Sequence, residues 1–520
     1  MKRRNFLQTA AALTIPAIMP LPGMKANSSR FTSLINPESD RILVIVHLFG
    51  GNDGLNTVIP LDQYDGITAV RPLLYLKESV THKITDTVAL HSSMAGMANM
   101  FKDGRLKIVQ SAGYPNQNRS HFRSTDIWTT ASKADEFLNT GWMGRYLDTQ
   151  YPGYPAGFPS AAQPHPPAIS IGNVAHPTCE GAQINFSQTV NDPLNTTELS
   201  GTMSDMMSND RYGSELQFIQ TTMQQTNDYN SVIKEAAAKG KNAVPYPGNS
   251  NPLAVQLQKV ARMISGGLKT KVYTVYLGGF DLHAKQVEAN TTIGAHADLL
   301  RQVSEAIDTF QRDMVAQKQD DRVMGMTFSE FGRRIRPNAS FGTDHGTAGP
   351  MFLFGSCVNG GIMGDNVEVH KDVNQGAGVP MQFDFRDVYG SILVDWFDVP
   401  ALSVKNMLHQ DFKYLPLAGK CNETVTDNTD STSEGWTFGE AFPNPASKDV
   451  YINVGSPDKN RLRYSLFDSR GRLVLANEIA VDGKSDHMLF SRPSRLPSGT
   501  YNLRLATETG GTVSRKVVFE

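Results

Sequence analysis

Cysteine is scarce in this sequence: three residues in 520, Cys179, Cys357 and Cys421, far apart and in no CxxC pair. That excludes a cysteine zinc site and a disulfide-framework scaffold. One disulfide stays open as an arrangement; three buried free thiols are the plainer expectation. Net charge is nearly absent too, at -2 with 49 Lys+Arg against 51 Asp+Glu. Polyanion binders carry a clear basic excess, so nucleic acid is excluded as a partner. Long apolar runs are also missing. The stretch from Ala10 to Ile18 is short and interrupted by Pro16, with Pro20 just beyond, so no transmembrane span is expected in the mature protein. "GGNDG" is neither GxGxxG nor a P-loop, and no nucleotide site is read from it.

What is present is length and clear punctuation. A chain of 520 residues predicts two or three domains. "MKRRNFLQTAAALTIPAIMPLPGMKA" has a basic start followed by an apolar run, which reads as a signal peptide over residues 1–26. Arg3-Arg4 followed by Asn5-Phe6-Leu7 resembles a twin-arginine export signal, whose cargo crosses folded and often loaded with a cofactor; an ordinary secretory signal is the alternative. Residues 41–417 alternate buried-type strands with amphipathic helices, an α/β pattern. "NPLAVQLQKVARMISGG" predicts a helix capped by Asn251, with Pro252 in its first turn and Gly266-Gly267 at its end. A second helix is expected over about 295–317, with Leu299, Val303, Ile307 and Phe310 on one face. Residues 151–251, rich in Pro, Asn, Ser and Thr, are expected to form an insertion or cap. "CNETVTDNTDSTSEG" reads as a linker over 421–435, and the short alternating strands of 442–520 as a small β-sandwich.

The apolar runs of the α/β region stop at polar residues. "RILVIVHLF" runs into Asn52-Asp53, "KVYTVYL" into Asp281-x-His283, and "VMGMTF" into Glu330, while Asp344-His345 follows on a loop. Ligands bind at the carboxyl ends of parallel strands, so the fold can gather these groups from distant parts of the chain. As a set they are oxygen and imidazole donors without thiolate, suited to zinc, manganese, calcium or magnesium. Each also has a plainer reading. Asp53 suits a turn, Glu330 can pair with Arg333 or Arg334, and Asp344-His345 suits an Asx turn with a capping histidine.

Two resemblances cover most of the chain. Asn444-Pro445-Ala446, Gly471-Arg472, Ser498-Gly499-Thr500-Tyr501 and Lys516-Val517-Val518 resemble the C-terminal sorting domain of type IX secretion. That implies a Bacteroidetes-type bacterium, the secretion machinery as partner, and export to the cell surface or medium with a periplasmic stage; a carbohydrate-binding sandwich is the alternative. "GGNDGLNTVIP", "NRSHFRSTDIW", "GWMGRYL", "GGFDLHAKQ", "SEFGRRIRPNASFGTDHG" and "DFRDVYGSIL" resemble the family of unknown function numbered 1501, placed near the alkaline phosphatases and sulfatases. The resemblance implies an alkaline-phosphatase-like, mostly parallel sheet flanked by helices. It implies metal binding by Asp53, Asp281, His283, Glu330, Asp344 and His345. Ser120 is the implied nucleophile at a helix N-terminus, with Ser124 and Thr125 as substitutes and His121 as acid, base or ligand. A helix cap is the plainer role for Ser120. Arg123, Arg333 and Arg334 are candidates to receive phosphate or sulfate oxygens, or to form ion pairs. Asp384, Arg386 and Asp387 are expected to cap and pair at the last helix of the domain. The pattern departs from the superfamily at Phe331, where a histidine ligand is expected, and the sulfatase motif C-x-P-S-R is absent. The expected function is a secreted or surface-attached, metal-dependent hydrolase of a small-molecule or glycan phosphate or sulfate ester. A non-catalytic surface protein that binds polysaccharide or a protein partner is the alternative.

Overall fold

The computed structural model describes residues 40–196, 198–200, 211–419 and, in the C-terminal region, 436–442, 446, 449–456, 459–468, 471–482, 486–493, 496–507 and 512–519. The expected signal peptide and the 421–435 linker lie outside the described residues.

The first apolar run forms β1 (Ile42–Leu48), buried along its whole length as a strand covered on both faces must be. After it come β2 (Leu106–Gly113), α1 (His121–Thr130), β3 (Ala168–Ile171), β4 (Ser187–Val190), α2 (Arg211–Lys239) and α3 (Pro252–Ser265). The domain continues with β5 (Val272–Leu277), α4 (Ala295–Ala316), β6 (Val323–Phe328), β7 (Gly349–Phe354), β8 (Gly361–Met363), β9 (Phe383–Asp384) and α5 (Phe385–Asp395). The strands join one nine-stranded sheet in the order β8-β2-β7-β6-β1-β5-β3-β4, with β9 paired to β2. All pairings are parallel except those of β7, which runs antiparallel to both β2 and β6. The expected mostly parallel α/β sheet is therefore present.

Residues 151–251 are not an insertion beside the sheet. They supply β3 and β4, which extend it beyond β5, and the long helix α2. These strands are four residues each, too short for their alternation to stand out among the surrounding Pro, Asn and Ser.

The helix expectations hold closely. The Asn251 side chain accepts from Ala254 N–H at 3.0 Å and donates to Gln302 O at 3.0 Å, with Pro252 opening the helix and Gly266 closing it. Asn251→Ala removes the cap and the bond to Gln302 O, so it should cost about 1–2 kcal/mol. A thermal unfolding midpoint equal to that of the parent protein would contradict this. Leu253, Leu257, Val260 and Ile264 of α3 meet Val303, Ile307 and Phe310 of α4 in the main core, with Leu300 buried and Leu299 only partly so. Each such side chain contributes about 1.5–3 kcal/mol of burial. Asp384 caps α5 through Arg386 N–H at 3.0 Å and pairs with the Arg386 guanidinium at 2.6 Å, the role expected for it. Cys179 is free and buried, but Cys357 is disulfide-bonded, which overturns the expectation of three free thiols.

The named strands of the C-terminal sheets all pair antiparallel. A three-stranded sheet and a four-stranded sheet enclose Trp436, Phe438, Ile452, Leu466, Leu503 and Val517. Arg504 reaches back to Asp395 at 2.6 Å, and Tyr414 also bonds that carboxylate. Burial pushes Asp395 up to about 6 even beside this guanidinium. No helix among the described residues is long and apolar enough to cross a membrane.

Candidate metal centre

Register places the site. His47 of β1 lies opposite Tyr276 of β5 and Phe328 of β6, so the three strands stop level with one another. Since β7 runs the other way, its N-terminal end, just after His345, lies at the same edge. The chain also leaves β2 there on its way to α1, because β2 is parallel to β6 through β7. Five strand ends, served by four connections, therefore meet at one edge of the sheet.

Glycine lets them meet closely. Gly50 has φ +123°, and a Cβ on it would collide with the Asp281 amide nitrogen. Only glycine adopts that conformation cheaply and leaves that space. Arg333, buried to 2 %, then ties the loops together. It donates to Gly51 O at 2.7 Å, Thr343 O at 2.8 Å, Phe280 O at 3.0 Å and Gly50 O, and it pairs with Asp281 Oδ1 at 2.7 Å. Fixed cation and carboxylate thus enter the site together.

Around Asp281 stand three imidazoles. Its Oδ1 lies 3.1 Å from His283 Nε2 and 3.1 Å from His345 Nε2, and those two nitrogens are 2.9 Å apart. Its Oδ2 lies 3.4 Å from His121 Nε2. Each imidazole's other nitrogen faces an acceptor. His345 Nδ1 is 2.8 Å from Arg119 O, His283 Nδ1 is 3.1 Å from Asp344 Oδ1, and His121 Nδ1 is 2.6 Å from Glu330 Oε1. A carbonyl and two carboxylates only accept, so each Nδ1 is placed to donate, which leaves each Nε2 facing inward as a donor atom for a cation. Lone pairs of two imidazoles and a carboxylate at about 3 Å repel unless a proton or a cation lies among them.

Donors on a tetrahedral zinc ion with bonds of about 2.05 Å stand about 3.3 Å apart, close to the spacings here. Histidines whose second nitrogen is held by a carboxylate or carbonyl are also the usual arrangement around a metal. The donor set therefore fits a divalent ion.

The carboxylates are tuned to stay charged. Burial pushes Asp281 up, but the hydrogen bond and the charge of Arg333 outweigh it and hold it at about 2. Burial of Glu330 is likewise outweighed, by His47 and His121, so its pKa is lowered. The Asn338 amide pulls Asp344 down. Burial lowers His345, against the pull of Asp281. Glu330 is fully buried beneath the cluster, whereas Asp281 and His283 are nearly half exposed, so the site opens to solvent on their side.

Of the six expected ligands, Asp281, His283 and His345 come together with their donor atoms turned inward. Glu330 and Asp344 sit one layer out, each bonded to an imidazole. Asp53 is elsewhere. Both its oxygens take Arg71 Nη2 at 2.9 Å, and Oδ2 also accepts from Gln286 at 2.6 Å, with Asp53 and Arg71 both buried. A guanidinium thus fills the place beside Asp53 in which the sequence resemblance implies a metal.

Ser120 is exposed at the N-cap of α1 and makes no side-chain cap bond. Its neighbours on both sides, Arg119 and His121, touch the cluster. Ser124 is fully buried and bonds Tyr114 and the Glu330 carbonyl, which removes it as a substitute nucleophile. Arg123 is spent on Asp126 and on the carbonyls of Lys133 and Ala134, and Arg334 pairs with Asp344 at 3.2 Å. Phe331 is buried, with its ring 4.8 Å from that of His121 and 4.6 Å from that of His345.

Sequence reasoning missed Arg71 and the pair of buried His47 and partly buried His176, whose ring nitrogens are 3.3 Å apart, with His47 Nε2 3.8 Å from Glu330. The available signal was the single histidine inside the otherwise apolar "ILVIVHL" of β1.

No curated protein matches the chain. A protein of the alkaline phosphatase superfamily from Vibrio parahaemolyticus is 10% identical, covers 96% of this chain and 92% of its own, and has a TM-score of 0.30. The PsFucS1 sulfatase from Pseudoalteromonas sp. is 9% identical, covers 86% and 83%, and also has a TM-score of 0.30. Dimeric latent PorU from Porphyromonas gingivalis is 17% identical over 18% of this chain and 10% of its own, with a TM-score of 0.15. At these scores the fold rests on the sheet order itself. Residues 440–520 match the secretion system C-terminal sorting domain, which makes this a protein addressed to secretion machinery. Residues 76–383, more than half of the sequence, match the family described as protein of unknown function (DUF1501), and the chain belongs to that family.

Proposed function

We propose that this is an exported, metal-dependent hydrolase of phosphate or sulfate esters, acting at the cell surface or outside it. The observation that carries this reading is the inward-facing triangle of Asp281 Oδ1, His283 Nε2 and His345 Nε2, open to solvent beside the N-terminus of α1. A divalent ion held there supplies charge to polarise an ester oxygen and to make the Ser120 hydroxyl more acidic. The α1 N-terminus presents unpaired amides toward an anionic ester, and Ser120 Oγ, free of a cap bond, is available to attack. Arg333 holds the Asp281 carboxylate in place while keeping its own charge buried beneath the site. On this reading the sorting domain directs the chain through type IX secretion after a periplasmic stage, and the basic N-terminus serves as the first export signal.

Ser120→Ala loses no cap bond and no metal donor. It should abolish turnover of p-nitrophenyl phosphate or sulfate while leaving metal content and thermal unfolding unchanged. Equal turnover in the variant would remove Ser120 from the nucleophile role.

One observation favours the alternative of a non-catalytic binder. Phe122, next to His121, is 89% exposed, and Phe137 is 76% exposed with Arg123 over its ring at 3.8 Å. Such exposed rings suit stacking on a polysaccharide or partner. Metal binding without turnover of any ester, together with glycan binding lost in Phe122→Ala, would select this reading.

A further inference from the structure

We propose that His121 is a fourth metal ligand, and that the site takes a borderline transition ion through three imidazoles and one carboxylate. This rests on the metal reading above and assigns His121 a role in it.

His121 Nε2 is buried with no hydrogen-bond partner. An imidazole nitrogen left unpaired in that way costs free energy unless something occupies its lone pair. It points at Asp281 Oδ2, 3.4 Å away, and donor atoms of His121, Asp281 and His345 all lie within 4.8 Å of one another. The ring cannot easily turn elsewhere. His121 is the first residue of α1, its Nδ1–H is held at 2.6 Å by Glu330, and Phe49 and Phe331 flank its ring at 5.4 and 4.8 Å. Glu330 is itself fixed, since Oε1 also accepts from Gly50 N–H at 2.9 Å. The same pattern, an outward Nδ1–H on an acceptor and an inward Nε2, thus recurs in His121, His283 and His345.

That pattern decides the metal class. Glu330 and Asp344, two of the oxygen donors expected from the sequence, are turned onto imidazoles and away from the centre. Asp281 is left as the carboxylate among three nitrogens. Calcium takes 6–8 oxygen ligands and magnesium strongly prefers oxygen, whereas imidazole suits zinc, copper, iron or nickel. Four protein donors still leave room for a substrate oxygen on an ion that accepts five or six ligands.

The test uses the full chain stripped with chelator and titrated with Co²⁺, followed by visible absorption, with Ca²⁺ and Zn²⁺ as competitors. The expected result is one Co²⁺ per chain, displaced by Zn²⁺ and not by millimolar Ca²⁺. His121→Phe keeps the ring packing and removes the donor. It should weaken Co²⁺ binding at least 10-fold and shift the absorption bands. Loss of an outer partner typically costs 10- to 100-fold in affinity, so Glu330→Gln should weaken binding within that range with smaller spectral change. Should His121→Phe misfold, His121→Ala with Glu330→Gln gives the same comparison. Unchanged affinity and spectrum in the His121 variants would overturn the ligand assignment, and displacement of Co²⁺ by Ca²⁺ would overturn the metal class. Absence of Co²⁺ binding in the parent protein would overturn this inference together with the metal reading. Four-ligand binding without ester turnover would sustain this inference and count only against the hydrolase.

Discussion

Changing Asp281 and His283 together to alanine should take the protein from about one divalent ion per chain to none. The variant loses the carboxylate that faces all three imidazoles and one of the two nitrogens that stand 2.9 Å apart. Because affinity at such a site falls steeply with each lost donor, no partial occupancy is expected. Elemental mass spectrometry on mature protein purified without chelator reads the result directly. The number one matters as much as the loss. Asp53, the other acidic strand end, is already neutralised by Arg71, so it has no free oxygen pair for a second ion. Two metals in the parent protein, or metal retained in the double variant, would sink this account of the site.

The largest stability effect should come from Arg71→Met. Arg71 is fully buried and bonds Asp53, Asn56 at 2.7 Å, and the Ile335 carbonyl at 2.8 Å. Removing it leaves a buried carboxylate without its countercharge, which costs about 3–5 kcal/mol at pH 7. The effect should depend on pH with a definite sign. Burial pushes the Asp53 pKa up, but Arg71 outweighs it and holds it below the ordinary value. A depressed carboxyl contributes stability above its unfolded pKa of about 3.9 and loses it as pH falls through the folded value. In Arg71→Met the burial acts with far less opposition, so Asp53 takes up a proton more readily than in the parent. The deficit should therefore be widest near neutral pH and narrow toward pH 3. Denaturant unfolding at the two pH values measures it; a deficit of equal size at both would mean that packing, not charge, is what Arg71 supplies.

The two cases share a lesson about what a sequence carries. The strand ends at Asp53, Asp281 and Glu330 were legible because buried apolar runs end where the sheet ends, and the sheet's register then aligns them. The helix from Pro252 to Ser265 was legible down to its cap, because Asn, Pro and Gly act on backbone groups a few residues away. The strands within 151–251 were not, because at four residues neither alternation nor an apolar run rises above a loop-like composition.

By itself, then, the sequence determined the α/β class, the antiparallel C-terminal sheets and the edge at which polar side chains collect. These follow from periodicity and from local backbone chemistry, which neighbouring residues decide. Only the tertiary structure decided which carboxylate keeps which partner. Asp53 went to Arg71, Glu330 to His121, Asp344 to His283, and Asp281 faces the cluster. In the chain these acids are chemically alike. What separates them is whether the fold brings a guanidinium, an imidazole N–H or an imidazole lone pair within about 3 Å, since a hydrogen bond is made only at about that distance.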